Sequence, residues 1–252
     1  LVVITTKARD LILWEPRTDS IIWRCKTKSY PLAVAFAGHT SRIWLAEQEG
    51  VTVYDTSSCA RGPLAEHAVS DPPLRAVTSR NGRRVAVGQR LGRAHVFDSQ
   101  TAKLERTFAG VDSSALHVSF SWDDRRLLVA SGNGYARVFD VATGEAVLKL
   151  SGHPAPIFAI DESPDGRWIA TGGGDRIVRL WDARTGTELR ALPPMSARVA
   201  NLRFFADGRL LAGADDGSFA SWDPKQPPAL ARLEQRVGSA RFAVAADRAS
   251  SE

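Results

Sequence analysis

Cysteine is nearly absent from this chain: its 252 residues include two, Cys25 and Cys59. Two thiols cannot make a disulfide framework, and without a Cys-x-x-Cys pair or a Cys/His cluster they point away from structural zinc. Both are expected as small apolar residues in or beside strands, in a protein of a reducing, cytoplasmic setting. Long apolar runs are missing as well. No stretch nears the roughly 20 residues that a membrane-spanning helix requires. Leu1 to Thr6 shows neither a basic leader nor a small-residue cleavage end, so no secretory signal is expected there. The sequence lacks an initiator Met and opens on a strand-like run, as a piece of a longer polypeptide would. Lysine is scarce: six of the 33 basic residues are Lys, and the net charge of +5 rests on arginine. These arginines are scattered without a basic run, which disfavours nucleic acid as the partner.

Catalytic signatures are missing too. There is no Gly-x-x-x-x-Gly-Lys-Ser/Thr loop, and Gly172-Gly173-Gly174 runs into Asp175 rather than a phosphate-binding helix. No Gly-x-Ser-x-Gly elbow occurs. The five histidines, His39, His67, His95, His117 and His153, offer no pair at helical metal-ligand spacing. No catalytic residue, no metal and no cofactor is expected. Asp215-Asp216 reads as turn chemistry rather than as an acid/base pair, and Trp122 stands out as a contact residue in a turn.

What is present is a repeat. An aromatic residue followed by an acid recurs as Trp14-Glu15, Tyr54-Asp55, Phe97-Asp98, Phe139-Asp140, Trp181-Asp182 and Trp222-Asp223, in steps of 40, 43, 42, 42 and 41 residues. This is the period of a four-stranded propeller blade, about 40–45 residues. Residues 152 to 193 show the unit most clearly. PIFAID from Pro156 is a short strand, Ser163-Pro164-Asp165-Gly166 a tight turn, and RWIAT from Arg167 a second strand. Ile177 to Trp181 is a third strand, and Thr185-Gly186 turns into a fourth from Glu188 to Leu192. Asn81-Gly82, Asp123-Asp124, Asp207-Gly208 and Thr143-Gly144 are the corresponding turns elsewhere. Short alternating strands joined by such turns read as consecutive antiparallel hairpins. Helical periodicity is absent.

These units resemble the WD-repeat family, most strongly at Gly152-His153, Ser163-Pro164-Asp165-Gly166, Asp175 and Trp181-Asp182. The resemblance implies a hydrogen-bonded tetrad of His153, Thr171, Asp175 and Trp181. Other units depart from it: the Asp position holds Asp216, Asn133, Leu91 and Gln48, and the Thr position holds Ala212, Val129 and Val87. Gly38-His39 lies 15 residues before Tyr54, where His153 lies 28 before Trp181, so it belongs to a turn. One unit therefore carries the tetrad, and the others are expected to rely on apolar packing.

The expected fold is all-β, a β-propeller of four-stranded antiparallel blades, with six blades and seven as the alternative. The blades are expected at 1–26 plus 238–252, 27–69, 70–110, 111–151, 152–193 and 194–237, the first sealed by a terminal strand at Gly238 to Ala245. The resemblance implies a non-catalytic scaffold or sensor module, like the bacterial WD-repeat regions of multidomain signalling proteins, that holds a protein or peptide partner around the channel mouth. Arg90, Asn133, Tyr135, Arg176, Arg198 and Asp216 are the candidate contacts there. Three arginines at one mouth favour an acidic or phosphorylated peptide. The rival reading, an enzyme or cofactor binder using the channel, needs carboxylates or histidines on successive first strands, and those strands read as too apolar.

Overall fold

Alternating and continuous apolar runs become strands throughout, and no helix forms among the described residues. The computed structural model describes residues 2–6, 8–37, 42–59, 71–110, 113–225 and 232–234. Six antiparallel sheets follow one another along the chain. The first holds β1 (Val2–Thr5), β2 (Asp10–Glu15) and β3 (Ser20–Lys26), and the second β4 (Pro31–Ala37), β5 (Arg42–Glu47) and β6 (Gly50–Asp55). The third holds β7 (Pro73–Thr78), β8 (Arg84–Gln89), β9 (Ala94–Asp98) and β10 (Leu104–Phe108). The fourth holds β11 (Ala115–Phe120), β12 (Arg126–Ser131), β13 (Tyr135–Asp140) and β14 (Ala146–Ser151). The fifth holds β15 (Ile157–Glu162), β16 (Trp168–Gly173), β17 (Val178–Asp182) and β18 (Glu188–Ala191). The sixth holds β19 (Val199–Phe204), β20 (Leu210–Ala214), β21 (Phe219–Trp222) and β22 (Arg232–Glu234). Six such sheets in a row are consistent with a β-propeller. His39, His67 and the terminal strand expected at Gly238 to Ala245 lie outside the described residues.

Sheet packs on sheet through five apolar layers. The first and second sheets share Leu11, Leu13, Ile43, Leu45 and Tyr54, and the second and third share Trp44, Val53, Val85 and Phe97. Further layers join third to fourth, fourth to fifth and fifth to sixth. The strands β4, β7, β11, β15 and β19 lie side by side in that order. The second strands β5, β8, β12 and β16 are covered on both faces, so they read as unbroken apolar runs such as RLLVA. The fourth strands β10, β14 and β18 are largely exposed. At Gly172 a Cβ would stand 2.4 Å from Val199 of the next sheet; a glycine is what lets β19 approach so closely.

The recurring acid has a local task. Asp98, Asp140 and Asp182 each accept, through Oδ1, the N–H of Thr101, Thr143 and Thr185, three residues on, at 2.7 Å. Each thereby caps the turn from third to fourth strand. The backbone donors hold all three carboxyls below their usual range. The turn from first to second strand also repeats, with positive φ at Gly82, Asp124, Gly166 and Gly208. Asp124 tolerates the left-handed region that glycine takes freely.

One expectation is corrected. Cys25, on β3, and Cys59, just past β6, form a disulfide with Cα atoms 6.6 Å apart, and no free cysteine is present among the described residues. The two are 34 residues apart in sequence, and the packing of the first sheet on the second brings them together. With the cysteines paired, the argument from free thiols to a reducing setting no longer holds. Alkylation of the protein at the moment of lysis, followed by mass measurement, is expected to find both cysteines unmodified; two alkylated thiols would contradict the bridge. Cys59→Ser is expected to lower the unfolding free energy by about 3–4 kcal/mol on loop-closure grounds.

Candidate interaction face

In each sheet from the second to the sixth, the segment leading into the first strand is tied to the turn between that sheet's second and third strands. Backbone bonds do part of this: Gln48 N–H to Tyr30, Arg90 to Pro72, Gly132 to Ser114, Gly174 to Pro156 and Asp215 to Arg198, all on carbonyl oxygens. Side chains do the rest, and they differ from sheet to sheet.

The fifth sheet uses four residues. His153 Nδ1–H donates to Asp175 at 2.9 Å, and His153 Nε2 accepts from Thr171 Oγ1 at 2.8 Å. That hydroxyl in turn accepts from Trp181 Nε1–H at 2.8 Å. Thr171 and Trp181 are buried, so the indole N–H and both imidazole nitrogens would be costly to leave unpaired. Burial lowers the His153 pKa, and Asp175 opposes that shift. The imidazole therefore acts as a neutral relay between lead-in, turn and core.

The second, third and sixth sheets reach the same end with different chemistry, which adds polar ties to the apolar packing expected of them. In the second sheet the buried Glu47 accepts Ser29 N–H at 3.0 Å and the Thr52 hydroxyl. In the third, Gln89 donates to the Asp71 carbonyl at 2.8 Å and accepts from His95, whose other nitrogen takes Thr107 Oγ1 at 2.9 Å. In the sixth, Ser196 Oγ donates to Asp216 at 2.6 Å. The sixth sheet also shows what happens when half of the tetrad is missing. Trp222 keeps the indole of Trp181, but Ala212 stands where Thr171 does, and Trp222 Nε1 is buried without a partner among the described residues. Phe97 and Phe139, in whose units Val87 and Val129 take the place of Thr171, have no such atom to satisfy.

These ties hold the loop tips that carry the remaining candidates. Arg90 and Arg176 are exposed, with neither ion pair nor side-chain hydrogen bond among the described residues. Arg176 sits at φ 68° at the tip of its turn. Arg198 is different: it is ion-paired with Asp215, and its guanidinium stacks over Phe158, 4.4 Å from the ring centroid. The expectation of three arginines offered at one mouth is therefore reduced to two with uncommitted charge. Asn133 accepts Tyr135 N–H at 3.3 Å and shapes its own turn, and Tyr135 stands under Lys149, whose Nζ is 4.1 Å from the ring centroid. Asp216 is taken up by Ser196 and Ser218.

The first strands are less apolar than their sequence suggests. Asp161 on β15 is 1% exposed; it accepts Ser119 Oγ at 3.2 Å and Phe204 N–H at 2.8 Å, and Arg203 lies 3.7 Å away. His117 on β11 has a buried, unpartnered Nδ1. Burial, followed by the charges of Arg75 and Arg203, pushes its pKa down to about 3. A histidine so depressed binds its proton more readily when unfolded. Its contribution to stability is therefore complete above the unfolded value near 6.5 and is lost as pH falls from there toward 3. Between pH 7.5 and 5.5 this amounts to about 1.4 kcal/mol. Denaturant unfolding at the two pH values is expected to show a smaller difference in His117→Gln than in the parent chain; an equal difference would refute it.

Compared with known proteins, residues 144–182 match the family model described as WD domain, G-beta repeat. No curated protein matches the chain. The matched stretch runs from the turn before β14 to the end of β17, so the sequence repeat straddles two sheets: it takes the last strand of the fourth and the first three of the fifth. It contains all four tetrad residues. The match at residues 144–182 supports the placing of this chain in the WD-repeat family.

Proposed function

We propose that the chain is a non-catalytic scaffold or sensor module of a larger signalling protein, and that it holds an acidic protein or peptide segment at the loop end that carries Arg90 and Arg176. WD repeats serve in general as protein-interaction scaffolds and are in general not enzymes, and this reading makes that general role specific. The observation that carries it is the pairing of tied-down turns with uncommitted guanidinium groups at their tips. Arginine combines contact area with a planar set of donors suited to carboxylate or phosphate. A fixed loop loses little entropy on binding. Location in the cytoplasm is not part of this proposal, since a disulfide between Cys25 and Cys59 weighs against a reducing compartment. The double variant Arg90→Glu/Arg176→Glu is expected to lose capture of an immobilised library of Glu-rich and phosphoserine peptides while its melting temperature stays within about 1 °C of the parent. Unchanged capture, or no capture by the parent chain, would discard the surface.

We further propose that the six sheets close into a six-bladed ring, with seven as the alternative, through residues 238–245 paired along β1. Two observations support this. The repeated aromatic lies on the third strand of each four-stranded sheet, whereas Trp14 lies on the middle strand of a three-stranded one. The first sheet therefore lacks an inner strand among the described residues. Val2 and Ile4 on β1 are 36% and 40% exposed, where other second strands are buried. An unpaired edge of this kind invites a strand. Cysteine pairs engineered across β1 and 238–245 are expected to oxidise to a bond at alternate positions; failure at every position would sink the closure.

A further inference from the structure

The end of the sheets opposite Arg90 and Arg176 carries a second feature of a different charge. Turns from first to second strand, and from third to fourth, gather there. Between the Ser121–Arg126 turn of the fourth sheet and the Ser163–Trp168 turn of the fifth lies a cleft of about 420 Å³. That volume is within the range of small-ligand sites, about 300–1,000 Å³. Four carboxylates line it, those of Asp123, Asp140, Glu162 and Asp165, against the two guanidinium groups of Arg125 and Arg126. Trp122 forms one wall.

Glu162, at the floor, is 2% exposed. Its Oε1 accepts Arg126 at 2.6 Å, and Arg126 spends a second N–H on the Ala183 carbonyl at 2.6 Å. Its Oε2 is buried with no partner among the described residues. A buried carboxylate with one oxygen unmatched is an expensive arrangement unless a cation completes it. The rim carboxylates are half-spent in the same way. Asp123 and Asp165 each use Oδ1 on their own turn, through Ser121 and Arg125 N–H and through Ser163 and Arg167 N–H. Their Oδ2 atoms are each in a long ion pair at 4.0 Å, with Arg125 and Arg167. Asp140 likewise commits Oδ1 to Thr143. The carboxylates do not group as a metal cage among the described residues.

The neighbourhood already shows which cation it suits. Arg126 sits on Glu162, and the Arg80 guanidinium stacks on the Trp122 ring with its central carbon 3.2 Å from the centroid. Trp122 Nε1–H is itself buried without an acceptor, so the wall offers a donor to a carbonyl beside the cation that the floor calls for. We propose that this cleft binds an arginine side chain presented by an extended segment of a partner protein. The guanidinium group meets Glu162 and the Oδ2 oxygens of Asp123 and Asp165, and a backbone carbonyl of the segment meets Trp122 Nε1–H. This site is separate from the arginine-bearing face and of opposite charge, so it stands or falls on its own.

The probe is N-acetyl-L-arginine amide, titrated into the 252-residue chain while the indole N–H resonances are followed by NMR. Trp122→Phe identifies the Trp122 signal by its disappearance. The Trp122 resonance is expected to shift and saturate with a dissociation constant on the order of 1–10 mM, as befits so small a ligand. The neutral isostere N-acetyl-L-citrulline amide is expected to leave it in place. Glu162→Gln is expected to weaken binding about fivefold or more. Asp165→Asn, at an exposed turn, provides the same test should the first variant fail to fold. The proposal is overturned by no saturating shift, by an equal response to the citrulline amide, by shifts of equal size at the other indoles, or by unchanged affinity in the folded variant.

Discussion

A strand that enters a sheet from outside must be fixed at its start, or the inner edge of the sheet frays and the next sheet has nothing to pack on. In this protein that constraint is met at one place, the junction between each lead-in segment and the turn of second to third strand. The backbone bond there recurs from the second to the sixth sheet. Around it the side chains are interchangeable as long as donors and acceptors balance. His153 and Asp175 do this in the fifth sheet, Glu47 and the Ser29 backbone in the second, Gln89 and the Asp71 carbonyl in the third, and Ser196 and Asp216 in the sixth. The first three are buried or half-buried, worth on the order of 1 kcal/mol net when made and more when one partner is stranded, whereas Ser196–Asp216 is exposed.

This interchangeability explains what could be read in the sequence and what could not. The aromatic-acid pair was legible because its two members do separate, position-locked jobs. The aromatic fills the layer between sheets, and the acid after it receives the backbone of the next turn, as Asp98, Asp140 and Asp182 do. The tetrad residues were legible because histidine, threonine, aspartate and tryptophan at fixed spacing have few other ways to satisfy one another. The Gln89–His95–Thr107 chain was not, since the same task passes there to a different strand and a different set of atoms. A signal was nonetheless present: Glu47 and Gln89 are 42 residues apart, one repeat, and both end a second strand. The disulfide was hidden for another reason. Cys25 and Cys59 occupy different places in the repeat, and the packing of one sheet on the next brings them together, not any local pattern.

The two ends of the sheets come to differ in charge through the same local rules. At the lead-in end, the acids are consumed by the ties, as Asp175 and Asp216 are, and Asp215 by Arg198. Arginines at the tips, Arg90 and Arg176, are left over. At the other end, aspartates are needed to cap turns; Asp123 and Asp165 spend one carboxylate oxygen on the cap, whereas Asp207 spends its second on Arg209. Turn chemistry thus leaves carboxylate oxygens such as those of Asp123 and Asp165 at one end of the sheets, while loop-tying takes up carboxylates at the other. Neither face requires a dedicated binding motif.

The fifth sheet holds two buried carboxylates side by side on one strand. Asp161 and Glu162 are adjacent on β15, both nearly inaccessible, and burial raises the pKa of both. Their surroundings diverge from there. Asp161 is met by Ser119, the Phe204 N–H and Arg203, so it joins three successive first strands and has no capacity to spare. Glu162 is met by Arg126 alone, on one oxygen. Successive residues of a strand point to opposite faces, and here one faces a fully answered structural demand and the other a cleft. A carboxylate that served structure alone would gain nothing from its unmatched oxygen, since a shorter or neutral side chain could hold Arg126 at a lower desolvation cost. The difference between these two neighbours, more than the count of acids around them, is the reason to assign binding to Glu162 and architecture to Asp161.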